Sequence, residues 1–423
     1  MTVSHALPAL RSRNYRLFFA GQGISLIGTW MTQVATIWLV YHLTQSAFLL
    51  GVVGFASQIP TFVVTPFGGV VGDRWHRRSV LVVTQILSMI QSLALAVLTL
   101  TGTIQIWQII VLALFQGAVN AVDAPTRQAF VSELVERRED LPNAIALNSS
   151  MFNSARLIGP AVAGGLIAVL GAGACFLIDG LSYIAVILAL LAMRVKSRSL
   201  IQEPFSLRST IAHLGEGYLY AYRFLPIRFI LLLLALISFM GMQYMVLLPI
   251  FATDILKGDA ATLGTLTAAS GVGALTAGIY LSLRKSIVGL GKIIGFAPIA
   301  MGLGLIGFAF STQLWLSALM MVLSGMGFLL QFASSNTLVQ TLVEDDKRGR
   351  VMSLYIMSFF GMVPLGSLAG GVLAGWMGAP LTVAIDGVVC ILGALLFLRQ
   401  LPKIRRVVRP IYRSRGLLPE ANS

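Results

Sequence analysis

The chain has 423 residues, of which 57% are hydrophobic and only 11% charged. Soluble domains carry about 25% charged residues, so a soluble globular protein is excluded; repeated apolar runs of about 20 residues, long enough to cross the hydrocarbon of a bilayer, predict an all-α polytopic membrane protein. The net charge of +14 would suit a nucleic-acid binder, but the placement of the basic residues argues for topology instead.

Apolar runs punctuated by charge predict twelve spans, at 16–41, 48–72, 79–101, 104–131, 143–170, 174–194, 228–252, 261–284, 290–311, 313–341, 351–376 and 380–399. Within lipid each must be a helix, because no water is there to satisfy the backbone. The first run, Leu17 to Val40, is too long for the apolar core of a cleavable signal. The connections 42–47, 102–103, 171–173, 312 and 377–379 contain no Lys or Arg, and 253–260 has Lys257 alone. The opposite connections hold Arg11, Arg13, Arg16, Arg74, Arg77, Arg78, Arg137, Arg138, Arg194, Lys196, Arg198, Arg284, Lys285, Lys347, Arg348 and Arg350, and the tail from Arg399 to Arg415 is basic as well. The positive-inside rule therefore puts both termini in the cytoplasm, with lipid and no nucleic acid as partner. Cys175 and Cys390 lie in separate apolar segments and are expected to pack as small hydrophobes rather than pair or bind metal.

The expected domains are a six-span bundle over 1–194, a cytoplasmic connection over 195–227, a second bundle over 228–400 and a basic tail over 401–423. In the connection, Ile211, Leu214, Tyr218 and Tyr222 fall on one helical stripe beside Arg208, Arg223 and Arg228. That pattern predicts an amphipathic helix lying on the membrane, with a soluble linker helix as the alternative. The tail after Pro402 is expected against anionic lipid or without fixed structure. The halves repeat: "LVERREDLPNAIALN" at Leu134 aligns with "LVEDDKRGRVMSLYI" at Leu342, "AGGL" at Ala163 with "AGGV" at Ala369, and "IDG" at Ile178 with "IDG" at Ile385, at offsets of 208, 206 and 207. Duplicated halves are a common plan of secondary transporters, whose substrate site lies between them at mid-membrane.

Between spans 2 and 3 an uncharged run from Gln45 to Gly72 ends in "GGVVGDRWHRRSVL", with one acid and three arginines inside Asp73 to Arg78. This loop resembles the G-x-x-x-D-R-x-G-R-R signature of the major facilitator superfamily. Gly69, Asp73, Arg74, Arg77 and Arg78 match, while His76 replaces a glycine. "RNYRLFFAGQGISLIGTWMTQVATIWLVYHLT" and "LPNAIALNSSMFNSARLIGPAVAGGL" resemble the branch of enterobactin-type siderophore exporters and macrolide and multidrug efflux proteins. The resemblance implies the major facilitator fold, two pseudo-symmetric six-helix bundles. It also implies that Asp73 meets the positive N-terminal end of span 11, near Gly349 to Met352, as a latch; topology alone would need only the arginines.

In span 5, Gly159, Pro160, Gly164 and Gly165 resemble the G-P-x-x-G-G motif of exporters. Small residues allow close helix approach and proline breaks a backbone hydrogen bond, which suits a hinge or tight contact, here expected with "PLGSLAGGVLAG" of span 11; simple packing is the alternative. Ionisable residues inside spans are costly and usually functional. Asp123 and Arg127 lie four apart and share a helix face, so they can pair; with Arg156 they form the proposed proton-coupling group, or a static ion pair. Asp179 and Asp386 are expected near the outer ends of spans 6 and 12, in interfacial or capping roles.

If the resemblance holds, spans 1, 4, 7 and 10 line the cavity. They offer Ser25, Thr29, Trp30 and Gln33, then Gln116 and Asn120, then Met240, Gln243 and Tyr244, then Phe328 and Gln331. Apolar and aromatic surface with a few amides suits a bulky amphipathic solute; each residue could equally serve helix packing. "GLGKII" lacks the first glycine and the Ser/Thr of a phosphate-binding loop, and neither G-x-S-x-G nor H-E-x-x-H occurs. The expectation is a transporter and not an enzyme, monomeric, with no cofactor and no metal, exporting a metabolite or drug in exchange for protons. Import or flipping of a lipid-like solute is the alternative.

Overall fold

The computed structural model describes residues 8–194, 218–284, 286–344 and 347–414, with the backbone alone for 65–74, 138 and 414. The helices are α1 (Arg13–Thr44), α2 (Ala47–Arg74), α3 (Arg77–Leu100), α4 (Ile106–Leu134), α5 (Leu141–Leu170) and α6 (Ala172–Ala192), then α7 (Leu225–Met240), α8 (Tyr244–Ile250), α9 (Ala260–Leu283), α10 (Leu290–Ala309), α11 (Leu314–Leu342), α12 (Arg348–Phe360), α13 (Met362–Met377) and α14 (Ala379–Ser414). They make twelve passes of membrane-spanning length and hydropathy, with α7 and α8 sharing the seventh and α12 and α13 the eleventh. No strand occurs among the described residues.

Local chemistry sets the helix ends. Ser12 caps α1, accepting from the Tyr15 N–H while its hydroxyl donates to the Leu134 carbonyl at 2.6 Å. Gly171 and Gly378, repeat-related residues with φ of 79° and 86°, terminate α5 and α13 and let α6 and α14 begin at once. Only glycine takes that backbone conformation cheaply.

The chain divides into two compact units, Met1–Phe205 with Leu248–Ala268, and Ser206–Leu247 with Ala269–Ser423. In the first, α1 packs on α5 and α6, α2 on α4, and α3 on α4 and α6. Tyr15, Phe18, Leu81, Phe130, Leu134, Val186 and Leu190 form an apolar knot at one end. In the second, α10 packs on α11 and α14, and α7 on α12, α13 and α14. Trp315, Trp376, Phe310 and Val169 stand exposed, as side chains facing lipid would. Cys175 and Cys390 are buried and unpaired.

Three details depart from the expectations. The seventh pass breaks at Gly241 and ends in a π-helical turn, Phe251–Ile255. The eleventh is interrupted at Gly361. The twelfth does not stop near residue 399: α14 runs through Pro402 and Pro410 to Ser414, with Leu401, Ile404, Val408 and Tyr412 buried. Their spacing is helical, so this part of the expected tail is an amphipathic helix seated on protein. Of the expected amphipathic connection, 195–217 lie outside the described residues. Residues 218–223 are helical, with Tyr218 stacked on Tyr222 and the Arg228 guanidinium 5.5 Å from the Tyr222 ring.

Candidate functional site

Arg77 and Arg78, the first two residues of α3, are staples within the first unit. Arg77 donates to Glu133 near the end of α4 at 2.8 Å and to the Ala129 carbonyl at 3.4 Å. Arg78 donates to the Leu191 carbonyl at 2.7 Å, neutralising the C-terminal end of α6. The start of α3 is thereby tied to the ends of α4 and α6. The side chains of Gly69, Asp73 and Arg74 lie outside the described residues, and the expected contact of Asp73 with them.

Asp123 is 4% exposed and held on every side. Its Oδ1 accepts from the Thr84 hydroxyl at 2.8 Å and the Gln85 amide at 2.9 Å, both on α3. Its Oδ2 meets Arg127 at 3.1 Å, one turn along α4. The pairing follows from the four-residue spacing; the two donors from α3 could not be read locally. Arg156, on α5, lies 5.7 Å from the Trp30 ring, which meets Phe152 edge-on at 5.8 Å. A cation over an indole face is a recognised stabilising geometry.

Asp179 is not a helix cap, a position that Gly171 holds. It sits two turns inside α6, 2% exposed, and its Oδ2 accepts from Thr32 of α1 at 2.9 Å and Ser92 of α3 at 3.0 Å. Its Oδ1 has no hydrogen-bond partner among the described residues and lies against Gly28, where an added Cβ would be 2.6 Å away. Asp386, at the matching depth of α14, is 1% exposed and neither of its oxygens has a described hydrogen-bond partner. The sequence signal was present: seven apolar or small residues precede each acid in its helix.

The candidate cargo-facing residues divide by exposure. In the first unit Thr29, Gln33 and Asn120 are exposed and Trp30 and Gln116 half-buried. Gln116 donates to Ser88 at 3.1 Å and to Asn120 at 3.0 Å, so α4 presents a linked pair of amides. Ser25 is buried. In the second unit Gln243 and Gln331 are 0% exposed, and Tyr244 and Phe328 are also buried. Gln243 donates back to the Phe239 carbonyl at 3.1 Å across the α7 break, and a Cβ on Gly370 of α13 would lie 2.8 Å from its Oε1. Tyr244 bonds Ser270 at 3.0 Å, and Phe328 joins a cluster with Phe332 and Phe359. These four side chains occupy packing positions in this structure.

The glycine motif of α5 has two close contacts and one open position. A Cβ on Gly159 would fall 2.5 Å from the Trp30 Cβ, and one on Gly164 would fall 2.8 Å from the Ala260 carbonyl oxygen. A Cβ on Gly165 would meet nothing. Within the first unit Gly164 thus meets the start of α9; in the second unit Gly366 lies against Phe239 of α7 and Gly370 against Gln243, just beyond it.

A family model described as "Transmembrane secretion effector" matches residues 4–410. The chain is similar to the staphyloferrin A transporter of Staphylococcus aureus, 27% identical over 395 residues, covering 92% of this chain and 97% of that one. It is 24% identical to the multidrug efflux pump Tap of Mycolicibacterium fortuitum, over 90% and 93% of the two chains. To the enterobactin exporter EntS of Salmonella choleraesuis it is 26% identical, over 93% of each. The solved structure of a POT family transporter shares its fold with TM-score 0.75, covering 93% of this chain and 96% of that one at 14% identity.

Proposed function

The chain belongs to the transmembrane secretion effector family of the major facilitator superfamily, a family of transporters and not enzymes, and we propose that it exports a small amphipathic molecule in exchange for protons. The relatives act on siderophores and drugs by their names, and they match over almost the whole chain. The observation that carries the cargo class is the exposed face of α1 and α4 in the first unit. Thr29, Gln33 and the Gln116–Asn120 amide pair supply a few hydrogen bonds, beside the Trp30 ring with Arg156 over it. A siderophore-like metabolite or a lipophilic drug offers both the polar groups and the apolar surface to match.

Both termini are assigned to the cytoplasm by the basic loops. Asp73 acts as a latch at that side, and Asp123 is the proton site: taking up a proton would release Arg127 and loosen the α3–α4 junction. Asp179 is a second candidate on a specific observation, since one of its oxygens has no described partner. The test is extrusion of a lipophilic fluorescent cation, and separately of a ferric-chelating metabolite, from efflux-deficient cells with and without a protonophore. Protonophore-sensitive extrusion that is lost in Asp123→Asn supports the reading. Extrusion that persists in Asp123→Asn with the same pH dependence removes Asp123 from the coupling step. Asp73→Asn is expected to insert normally and to slow transport; unchanged rates would discard the latch.

A further inference from the structure

The buried face of α3 is polar where a spanning helix is ordinarily apolar. Thr84, Gln85, Ser88, Gln91 and Ser92 recur at three- and four-residue spacing and so form one stripe, each 5% exposed or less. Leu81 and Leu95, both buried, close the stripe at its two ends. Polar side chains cost free energy to bury unless they are hydrogen-bonded, and inside a spanning helix they usually serve function.

An acid stands at each end of the stripe. Thr84 and Gln85 donate to Asp123 of α4, and Ser92 donates to Asp179 of α6 at 3.0 Å. Between them Ser88 accepts from Gln116 of α4 at 3.1 Å. Ser88 lies about one turn, roughly 5–6 Å, from either end. That step is too long for a direct hydrogen bond and matches one water that makes two. Three buried acceptors on the same line, Gln85 Oε1, Gln116 Oε1 and Asp179 Oδ1, have no hydrogen-bond partner among the described residues. Buried water is held where such acceptors converge. The ionisable neighbours are few. Cys175 and Tyr183 flank Asp179 at one turn on α6, and Arg156 is the ionisable residue of α5. Arg127 pairs with Asp123, while α2 carries Asp73 and Arg74 at its end, and Arg77 and Arg78 start α3.

We propose that water held along this stripe joins Asp179 and Asp123 into one proton path inside the first unit. At one end the hydroxyl of Thr32, half-buried beside the exposed Gln33 on α1, meets Asp179 at 2.9 Å. At the other end, nearer the basic start of α3, lies the Asp123–Arg127 pair. Each hop breaks one O–H bond and forms the next. The net change turns the Asp179 carboxyl into a carboxylate and the Asp123 carboxylate into a carboxyl, which lets go of Arg127. The inference rests on the proton-exchange reading for its purpose, and it makes the two candidate acids successive stations of one route.

The test times the proton in the purified full-length protein, with neither cargo nor gradient. A laser pulse releases protons from a caged compound, and the infrared band of protonated carboxyl is followed. The part of the band that Asp123→Asn removes belongs to that acid. Ser88→Val and Ser88→Thr introduce side chains of the same shape, but only Thr keeps a hydroxyl. Ser88→Val is expected to slow the Asp123 band on the order of a hundredfold, as loss of a positioned proton carrier does. Ser88→Thr should keep the parental rate, and Asp179→Asn should slow the band as Ser88→Val does. Parental rates in both Ser88→Val and Asp179→Asn would overturn the path, and so would equal slowing in Ser88→Val and Ser88→Thr. If the parent shows no band that Asp123→Asn removes, Asp123 takes up no proton and the path fails together with its coupling role. A path confirmed in a protein whose efflux ignores a protonophore would stand, and proton exchange alone would be discarded.

Discussion

Asp123 and Asp179 are two buried acids of the same compact unit, and they are held in opposite ways. Asp123 has a guanidinium on one oxygen and two neutral donors on the other. Asp179 has two hydroxyls on one oxygen and no described partner on the other. Burial is almost equal, so burial does not distinguish them. Their partners do. An ion pair in a low-dielectric interior is rigid because each charge makes the other tolerable, and removing either leaves a charge stranded. A carboxyl held by hydroxyls gives up only ordinary hydrogen bonds when its helix shifts. In the first the ion pair stays within α4, and the neutral donors Thr84 and Gln85 join it to α3; in the second two hydroxyls join α6 to α1 and α3.

The largest effect is expected at Arg127. Arg127→Ala strands the Asp123 charge and should lower stability by about 3 kcal/mol. Unfolding can be followed with a thiol-reactive dye, because Cys175 and Cys390 are fully buried and become reactive only as the protein opens. Adding Asp123→Asn to Arg127→Ala should restore most of the loss, since the stranded charge is then gone, and the double-mutant cycle isolates the pair. A loss below about 1 kcal/mol in the single variant would place the pair among weak surface-type bridges and undo the contrast.

A smaller effect is expected at Asp179. Thr32→Val deletes one of the two donors to Oδ2 without changing shape, and Ser92 remains. The expected cost is about 1 kcal/mol, the usual worth of a single neutral hydrogen bond. Measured by the same dye, a cost as large as that of Arg127→Ala would mean that hydroxyls lock this acid as firmly as the guanidinium locks the other.

Much of this was legible in the sequence, and the limits have physical causes. Hydropathy and charge placed twelve passes because lipid dictates both the length and the composition of a spanning helix. They did not show the break at Gly241, because its flanks are as apolar as an unbroken span and the freed Phe239 carbonyl is met locally by Gln243, four residues on. They cut α14 short because the apolar run gives way to basic residues after Pro402, although Leu401, Ile404 and Val408 kept helical spacing. At the site, Asp123 and Arg127 paired by spacing along one helix, whereas Thr84 and Gln85 came from another. The depth of Asp179 was misjudged by its nearness to a helix start, although the apolar residues before it already fixed two turns of helix.

The smallest effect, and the finest test, is at Asp386. It occupies the position of Asp179 in the second half of the sequence, 207 residues on, in its own unit. If the repeat conserved partners as well as position, Asp386 would have donors matching Thr32 and Ser92; neither of its oxygens has a described one. Asn has the same size and shape as Asp, so Asp386→Asn removes no described hydrogen bond and creates no cavity. The expected change in stability is below about 0.5 kcal/mol, because no described hydrogen bond is lost. A loss above about 1 kcal/mol in the dye assay would show that the second-half acid is held after all, and the duplication would then extend to chemistry. A negligible loss would mean that the two halves kept the same acid at the same depth and that only the first half built donors around it.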